Sequence, residues 1–115
     1  MTIIADGRYR LPDSFLYSKN QHIFLDKMNK IVGLDQIGYA FLKKPTELKI
    51  LVEDTMKIGE PFASIATAAG ITTLYSPCSG KIKKVHEDAL EFMENDTYEK
   101  GIIELETISD IESNL

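Results

Sequence analysis

The side chains that could carry chemistry in this chain of 115 residues are one cysteine, two histidines and a group of acids near the C-terminus. The cysteine, Cys78, stands in the segment Ser-Pro-Cys-Ser-Gly, a pattern typical of turns. A nucleophilic thiol must ionise, and Lys81 is the sequence neighbour that could lower its pKa. Free cysteines are also commonly buried as small apolar side chains, so we predict that Cys78 is buried. A thiol-dependent enzyme that uses Cys78 remains a functional alternative.

The two histidines, His22 and His86, are far apart in the sequence. Neither has a second ligand at a metal-binding spacing or a nucleophile motif nearby, so we predict surface or packing roles for both. Paired carboxylates can perform acid–base chemistry, but many acids on one short predicted helix favour a solvated face. These acids are Glu87, Asp88, Glu91, Glu94 and Asp96. The residue types therefore predict no catalytic residue and no metal site.

The composition favours one soluble globular domain, with 43% of the residues hydrophobic and 27% charged. A formal net charge of -5 disfavours nucleic acid as a partner, because phosphate binding needs clustered basic residues. We interpret the basic cluster Lys81, Lys83 and Lys84 as the solvated face of a strand. The single cysteine excludes an internal disulfide and favours a reducing compartment. No segment is apolar for long enough to cross a membrane, and residues 1–10 lack a signal-peptide pattern, so we expect a cytoplasmic protein. We also expect it to be a monomer.

The elements that must position these residues are mostly short strands. A tight hairpin turn is predicted at 68–70, where Gly70 supports it, and chain breaks at 76–77 and 79–80. Asp35 is a good helix N-cap, and a short helix is predicted after it with Phe41 on its apolar face. A second short helix is predicted within 87–95. Apolar and β-branched runs predict strands at 23–25, 30–34, 48–52, 62–67, 71–75, 81–85 and 102–105.

Many short strands at close spacing, with few short helices, predict a mainly β fold built as a barrel or a sandwich. We predict one domain over residues 11–106, an N-terminal tail over 1–10, and an acidic, frayed C-terminal tail over 107–115. The aromatic side chains are most simply assigned to the core. They are Phe15, Tyr17, Phe24, Phe41, Phe62 and Tyr75.

Two motifs resemble those of lipoyl and biotinyl carrier domains. Lys-Ile-Gly-Glu-Pro-Phe-Ala at 57–63 is similar to a turn and strand of that family, and Leu-Tyr-Ser-Pro-Cys-Ser-Gly at 74–80 to the end of its hairpin. The details are closest to the glycine cleavage system H protein, and the segments 16–19, 32–40 and 96–102 agree with it in order. The resemblance covers residues 11–106 and implies a flattened β-barrel or sandwich of the lipoyl-domain (barrel-sandwich hybrid) type with two or three short helices. The connection 85–98 is shorter than in the family, which implies a trimmed C-terminal helix.

The same resemblance locates the residue that a carrier would modify. In the family the lipoyl lysine lies ten residues after the glycine of the first motif and eight before the proline of the second. Counting from Gly59 and from Pro77 leads to Ala69 both times. The glutamate that aids recognition by the lipoylating enzyme, three residues before the lysine, corresponds to Ala66. The predicted tip is therefore small and uncharged, and it consists of Ala66, Thr67, Ala68, Ala69 and Gly70.

An alanine has no amine, so lipoate cannot be attached at Ala69. We therefore predict a lipoate-free binding, scaffold or regulatory module that binds no cofactor and is not an enzyme. Its partners would be proteins, among them enzymes of glycine cleavage or of lipoate attachment. The alternative is a true lipoyl carrier of aminomethyl groups that is modified at an unexpected residue or represented by a variant chain. Lys57 superficially matches a biotin motif, but its position assigns it to the turn before the hairpin.

Overall fold

The architecture is dominated by short strands. A computed structural model describes residues 2–4, 9–11, 15–18, 22–42 and 45–112 of the chain, in which eleven strands and two helices are found. In chain order they are β1 Thr2–Ile4, β2 Tyr9–Leu11, β3 Leu16–Tyr17, β4 Ile23–Asp26, β5 Ile31–Leu34, α1 Gln36–Phe41, β6 Glu47–Ile50, β7 Thr55–Met56, β8 Pro61–Thr67, β9 Gly70–Tyr75, β10 Cys78–Val85, α2 Ala89–Lys100 and β11 Ile103–Ile111.

The strands form two principal sheets. Six strands pair in the order β3-β4-β5-β11-β10-β7, and three strands pair in the order β6-β8-β9, with every neighbouring pair antiparallel. A separate antiparallel pair consists of β1 and β2. Within the described ranges the strands do not close into a continuous barrel. The predicted mainly β fold of the barrel-sandwich type is confirmed.

The core contains buried side chains from both principal sheets and from α2. Phe62 of β8 and Leu25 of β4 are fully buried, and each such side chain stabilises the fold by about 2 kcal/mol. Phe24 is also fully buried, but the assignment of every aromatic residue to the core is wrong: Phe41 is 68% exposed and Tyr75 is 43% exposed. The buried core comprises Ile23, Leu25, Val32, Leu34, Met56, Phe62, Ala63, Ile65, Leu74, Cys78, Ala89, Met93, Ile102, Ile103 and Leu105.

The short helix α1 begins as predicted at Asp35. The carboxylate of Asp35 accepts a hydrogen bond from the backbone N–H of Gly38 at 2.8 Å, which satisfies a donor that the first helical turn leaves open. Gly38 faces the core, where a Cβ atom would lie 2.8 Å from Leu34 Cδ1. Phe41, the last residue of the helix, is nevertheless exposed.

The helix α2 is longer than predicted and ends at Lys100 rather than near residue 95. Its last turns contact β5 and the start of α1. The Thr97 hydroxyl donates to the carbonyl O of Leu34 at 2.5 Å, and the Tyr98 hydroxyl accepts from the backbone N–H of Gln36 at 3.0 Å. These contacts hold the segment that leads into α1, so α2 positions one side of the candidate site described below.

We expect Thr97→Val to lower the free energy of unfolding by about 2 kcal/mol, because a buried valine of the same shape cannot donate to Leu34 O. Urea denaturation measures this change. Thr55→Val, at an exposed position in β7, is the matched control and should change the free energy by less than about 0.5 kcal/mol. Equal stability of the parent and Thr97→Val would contradict the prediction.

Both segments predicted as tails contain strands. β11 extends to Ile111, and Cys78 of β10 pairs with Ile111. The prediction of a frayed segment from residue 107 is therefore wrong for residues 107–111, because pairing with β10 satisfies their backbone. The predicted break at 79–80 is also wrong, since β10 continues through it with a register shift. The N-terminal segment contributes β1 and the first residues of β2. The division into one domain and two tails otherwise stays a prediction.

Candidate functional site

The tip of the β8–β9 hairpin is a two-residue turn. Thr67 pairs with Gly70, and Ala68 and Ala69 connect the two strands. The Thr67 hydroxyl accepts a hydrogen bond from the backbone N–H of Ala69 at 3.1 Å and donates one to the carbonyl O of Gly70 at 3.2 Å. Gly70 has a φ of 132°, a backbone angle that residues with a Cβ atom rarely adopt. The predicted hairpin is therefore present, and its turn is closed by the backbone and one hydroxyl.

The turn projects into solvent. Ala68, Ala69 and Gly70 are exposed, and the following residue, Ile71, is 76% exposed. A longer side chain at position 69 would therefore meet solvent. Chemically, the tip offers methyl groups, backbone amides and the Thr67 hydroxyl, which is hydrogen-bonded to the main chain, so it has no amine.

The structure places beside the tip an acid that lies far from it in the sequence. Ala66 pairs with Ile71 on one side and with Glu47 of β6 on the other. Directly opposite residues on antiparallel strands lie on the same face with their Cβ atoms about 5 Å apart. The exposed Glu47 therefore places a carboxylate in the neighbourhood of Ala66. Only the strand register reveals this, because 19 positions separate the two residues in the chain.

A cleft lies between α1 and β9, beside the hairpin. It has a volume of about 270 Å³. Most of its wall is apolar, and His22 is a polar exception, with its Nδ1 atom 3.5 Å from Asp35 Oδ2. The cleft is lined by His22, Leu34, Gly38, Phe41, Leu42, Thr72, Thr73 and Leu74. Exposed apolar side chains stand at Ile71 of the hairpin and at Phe41 at the end of α1.

The only cysteine lies in the core, not in this surface. Cys78 is fully buried, and burial raises the pKa of its thiol to about 11. Lys81, which might have lowered that pKa, is exposed and has its Nζ atom 3.7 Å from Glu106 Oε2. The prediction that Cys78 is buried is confirmed, and the structure supplies no activation for a thiol-dependent enzyme.

We expect the Cys78 thiol to react with a disulfide reagent at pH 8 at least about 100-fold more slowly in the folded protein than in denaturant. A pKa of about 11 instead of 9.0 leaves about 100-fold less thiolate, and burial blocks access further. Absorbance of the released thiol measures both rates. Equal rates in folded and unfolded protein would contradict the prediction.

Burial of Cys78 also predicts a pH dependence of stability. Because the folded state favours the protonated thiol, the free energy of unfolding should fall as the pH rises from 9 toward 11, and Cys78→Ala should remove this fall.

The other candidate groups form surface or packing contacts. His86 is buried, with its Nε2 atom 3.8 Å from Glu104 Oε2, and Lys83 Nζ lies 3.5 Å from Glu104 Oε1. Glu87, Asp88 and Glu91 are exposed, as are the three lysines of β10, which agrees with the predicted solvated faces. In the part of the chain that the structure describes, no group of three or more histidine, cysteine or acidic side chains could hold a metal ion. No helix in the described ranges is long and apolar enough to cross a membrane.

The two sheets and the projecting hairpin define a fold of the lipoyl-domain type. A crystal structure of a glycine cleavage system H protein from Mycobacterium marinum has this fold. It matches with a TM-score of 0.70 at 17% sequence identity, and the match covers 89% of this chain and 91% of that one. No family model matches the chain.

The sequence is similar to several H proteins. A glycine cleavage system H protein from Staphylococcus epidermidis is 30% identical over 111 residues, which cover 87% of this chain and 83% of the relative. One from Oceanobacillus iheyensis is 28% identical over 101 residues, which cover 79% of this chain and 76% of the relative. The chain belongs to the glycine cleavage system H protein family.

Proposed function

We propose that this chain is a binding or regulatory module with the H-protein fold that carries no lipoyl group. The observation that carries the proposal is Ala69, an exposed residue in the turn of a well-formed hairpin. Amide formation with lipoic acid needs an amine, and an alanine side chain has none. The module is therefore neither a group carrier nor an enzyme, and it binds no cofactor.

The scaffold around Ala69 supports a docking role. Thr67 and Gly70 close the turn without any contribution from the side chain at position 69, so the tip keeps its shape. Ile71, which is 76% exposed, offers apolar contact area next to the tip, and Phe41, which is 68% exposed, offers a second apolar side chain at the end of α1. The proposed partners are cytoplasmic enzymes of glycine cleavage or of lipoate attachment.

Intact-mass measurement after co-expression with a lipoate ligase tests the absence of a carrier function. We expect the parent chain to keep its unmodified mass while a lipoylated H protein from the same cells gains one lipoyl group. A lipoyl adduct on this chain would refute the proposal. Peptide mapping would then locate the adduct and decide for the alternative, a true carrier modified at another residue such as the exposed Lys57.

The partner is tested with immobilised protein and purified glycine cleavage and lipoate-attachment enzymes. We expect at least one of them to bind, and Ile71→Glu to weaken this binding about tenfold or more, because it places a charge within an apolar contact. Lys84→Glu, at an exposed position of β10 outside the hairpin, is the matched control and should bind like the parent. If the immobilised protein retains none of these enzymes, the part of the proposal that names the partners is refuted.

A further inference from the structure

The sheet β6-β8-β9 turns one face to the core and the other to solvent. Side chains alternate between the two faces along each strand. Ala63 and Ile65 of β8 are buried, as is Leu74 of β9, so the residues that alternate with them point away from the core. These residues and their partners on β6 form the outer face, which consists of Glu47, Lys49, Ser64, Ala66, Ile71, Thr73 and Tyr75, all of them exposed or half-buried.

The outer face has a low floor between two higher walls. Its floor is the middle strand β8, where Ser64 and Ala66 have small side chains. The walls are β6 and β9, since Ala66 pairs with Glu47 on one side and with Ile71 on the other. Neighbouring strands lie about 4.8 Å apart, so the two walls are about 9.6 Å apart. An α-helix is about 10–12 Å across with its side chains, and the groove therefore has the width of a helix that lies along β8.

The same shape disfavours two other occupants. An extended peptide that adds to a sheet needs a free strand edge, and both edges of β8 are already paired, with β6 and with β9. A second copy of the chain would set one low floor opposite another and leave the centre of the contact unfilled. A helix is convex, so its side chains reach the floor of the groove.

The two walls of the groove differ in chemistry. The wall on β9 is largely apolar, with the exposed side chains of Ile71 and Tyr75. The wall on β6 carries opposite charges at Glu47 and Lys49, and in the described part of the chain no ion pair joins either of them to another side chain. Two residues along a strand span about 6.7 Å, and four residues along a helix span about 6.0 Å. A basic and an acidic residue four positions apart on a helix therefore match Glu47 and Lys49.

We propose that the outer face is a docking groove for an amphipathic helix of a partner protein. The helix packs its apolar stripe on Ser64, Ala66 and Ile71, and its two charged residues face Glu47 and Lys49. Burial of the apolar stripe supplies affinity, while the charges at the rim supply orientation and specificity. This inference rests on the proposed docking role and specifies the element that the partner contributes.

Two synthetic helical peptides of about 18 residues test the groove. Both carry the same leucine stripe. The first peptide has a lysine and a glutamate four positions apart beside the stripe, and the second has glutamate at both positions. We expect the full chain to bind the first peptide about fivefold more tightly than the second, and Glu47→Lys to reverse this preference. Fluorescence anisotropy of the labelled peptides measures both affinities.

Matched variants separate the groove from general effects of charge and bulk. Glu87→Lys, at an exposed position outside the outer face, makes the same change in net charge and should keep the parent's preference. Ser64→Leu raises the floor and should weaken binding of the first peptide about tenfold, whereas Thr55→Leu, on β7, should not. The proposal is overturned if neither peptide binds, or if Glu47→Lys leaves the preference unchanged. Should Ser64→Leu fail to fold, the reversal by Glu47→Lys decides.

The purified enzymes of glycine cleavage and lipoate attachment distinguish this inference from the proposed function. We expect Ser64→Leu to weaken the binding of an enzyme that the parent retains. An enzyme that binds both chains equally would exclude the groove but not the docking role, whereas a lipoyl adduct would refute the proposed function without changing the peptide affinities. A dimer in light scattering that Ser64→Leu abolishes would assign the outer face to a second copy and overturn the proposal.

Discussion

A lysine at position 69 together with a glutamate at position 66 should turn this chain into a substrate for a lipoate ligase. The parent should remain unmodified, whereas Ala66→Glu/Ala69→Lys should be modified to near completion. The reason is geometric: the turn is closed by Thr67 and Gly70, and position 69 is exposed, so the new amine extends into solvent from a fixed loop.

Intact mass after co-expression measures the modified fraction. Thr72→Lys is the matched control: it places a lysine at another exposed position of the same hairpin, away from the turn, and should stay unmodified. The double variant should fold, and it should unfold at a slightly lower urea concentration than the parent: neither Ala66 nor Ala69 is a core residue, but a glutamate at position 66 lies opposite Glu47, and like charges in that position are destabilising. A folded double variant without any lipoyl group would show that the scaffold no longer presents its tip to a ligase.

The single variant Ala69→Lys tests the role of Glu47. Because Glu47 pairs with Ala66 across the strands β6 and β8, its carboxylate lies near the position to which the family resemblance assigns a recognition acid. We therefore expect partial modification of Ala69→Lys and loss of most of it in Ala69→Lys/Glu47→Gln. Equal modification of these two variants would exclude a contribution from Glu47.

An alanine at position 80 should cost the fold more than about 3 kcal/mol. Gly80 lies in β10 between two strands and pairs with Ile108 of β11 and Met56 of β7. A Cβ atom there would collide with the backbone carbonyl O of Thr107. A carbonyl within a sheet cannot rotate away as a flexible side chain can, so the strands would have to separate. The free energy of unfolding of a typical domain is about 5–15 kcal/mol, and the loss is a large part of it.

Urea denaturation of Gly80→Ala and two controls measures this effect. Lys84→Ala lies in the same strand at an exposed position and should differ little from the parent. At Gly59 a Cβ atom would have no neighbour within 4 Å, but φ is 79°, so Gly59→Ala measures backbone strain alone, about 1 kcal/mol. A Gly80→Ala protein as stable as Lys84→Ala would mean that β10 and β11 are not as close as the structure places them.

The parts of the molecule that were predictable from the sequence are those with strong local signals. The hairpin was predictable because β-branched residues flank Gly70, and α1 because Asp35 can cap a helix. These features depend on neighbours in the chain, which a single sequence displays directly. The location of Ala69 in the turn follows from the same local pattern, whereas its equivalence to a carrier lysine rests on the family resemblance and stays a proposal.

The features that were not predictable depend on pairing between distant segments. The acidic residues after Leu105 resemble a solvated tail, yet Ile108 and Ile111 belong to a strand because β10 lies beside them. Phe41 is an aromatic residue on the predicted apolar face of α1, yet it is 68% exposed. Glu47 gains its position near the tip only through the register of β6 and β8. Such long-range pairings leave little trace in local patterns.

The closure of the turn by Thr67 has a consequence for how this hairpin can change over time. Both hydrogen bonds of the Thr67 hydroxyl go to main-chain atoms, and Ala68 and Ala69 lend no side chain to the core. The contacts that form the hairpin are also local in sequence, so this segment can assemble early during folding with side chains other than proline at these two positions. Most substitutions at positions 68 and 69 should therefore leave folding of the hairpin unchanged. In a library randomised at these two positions, selection would then act mainly through binding to the partner.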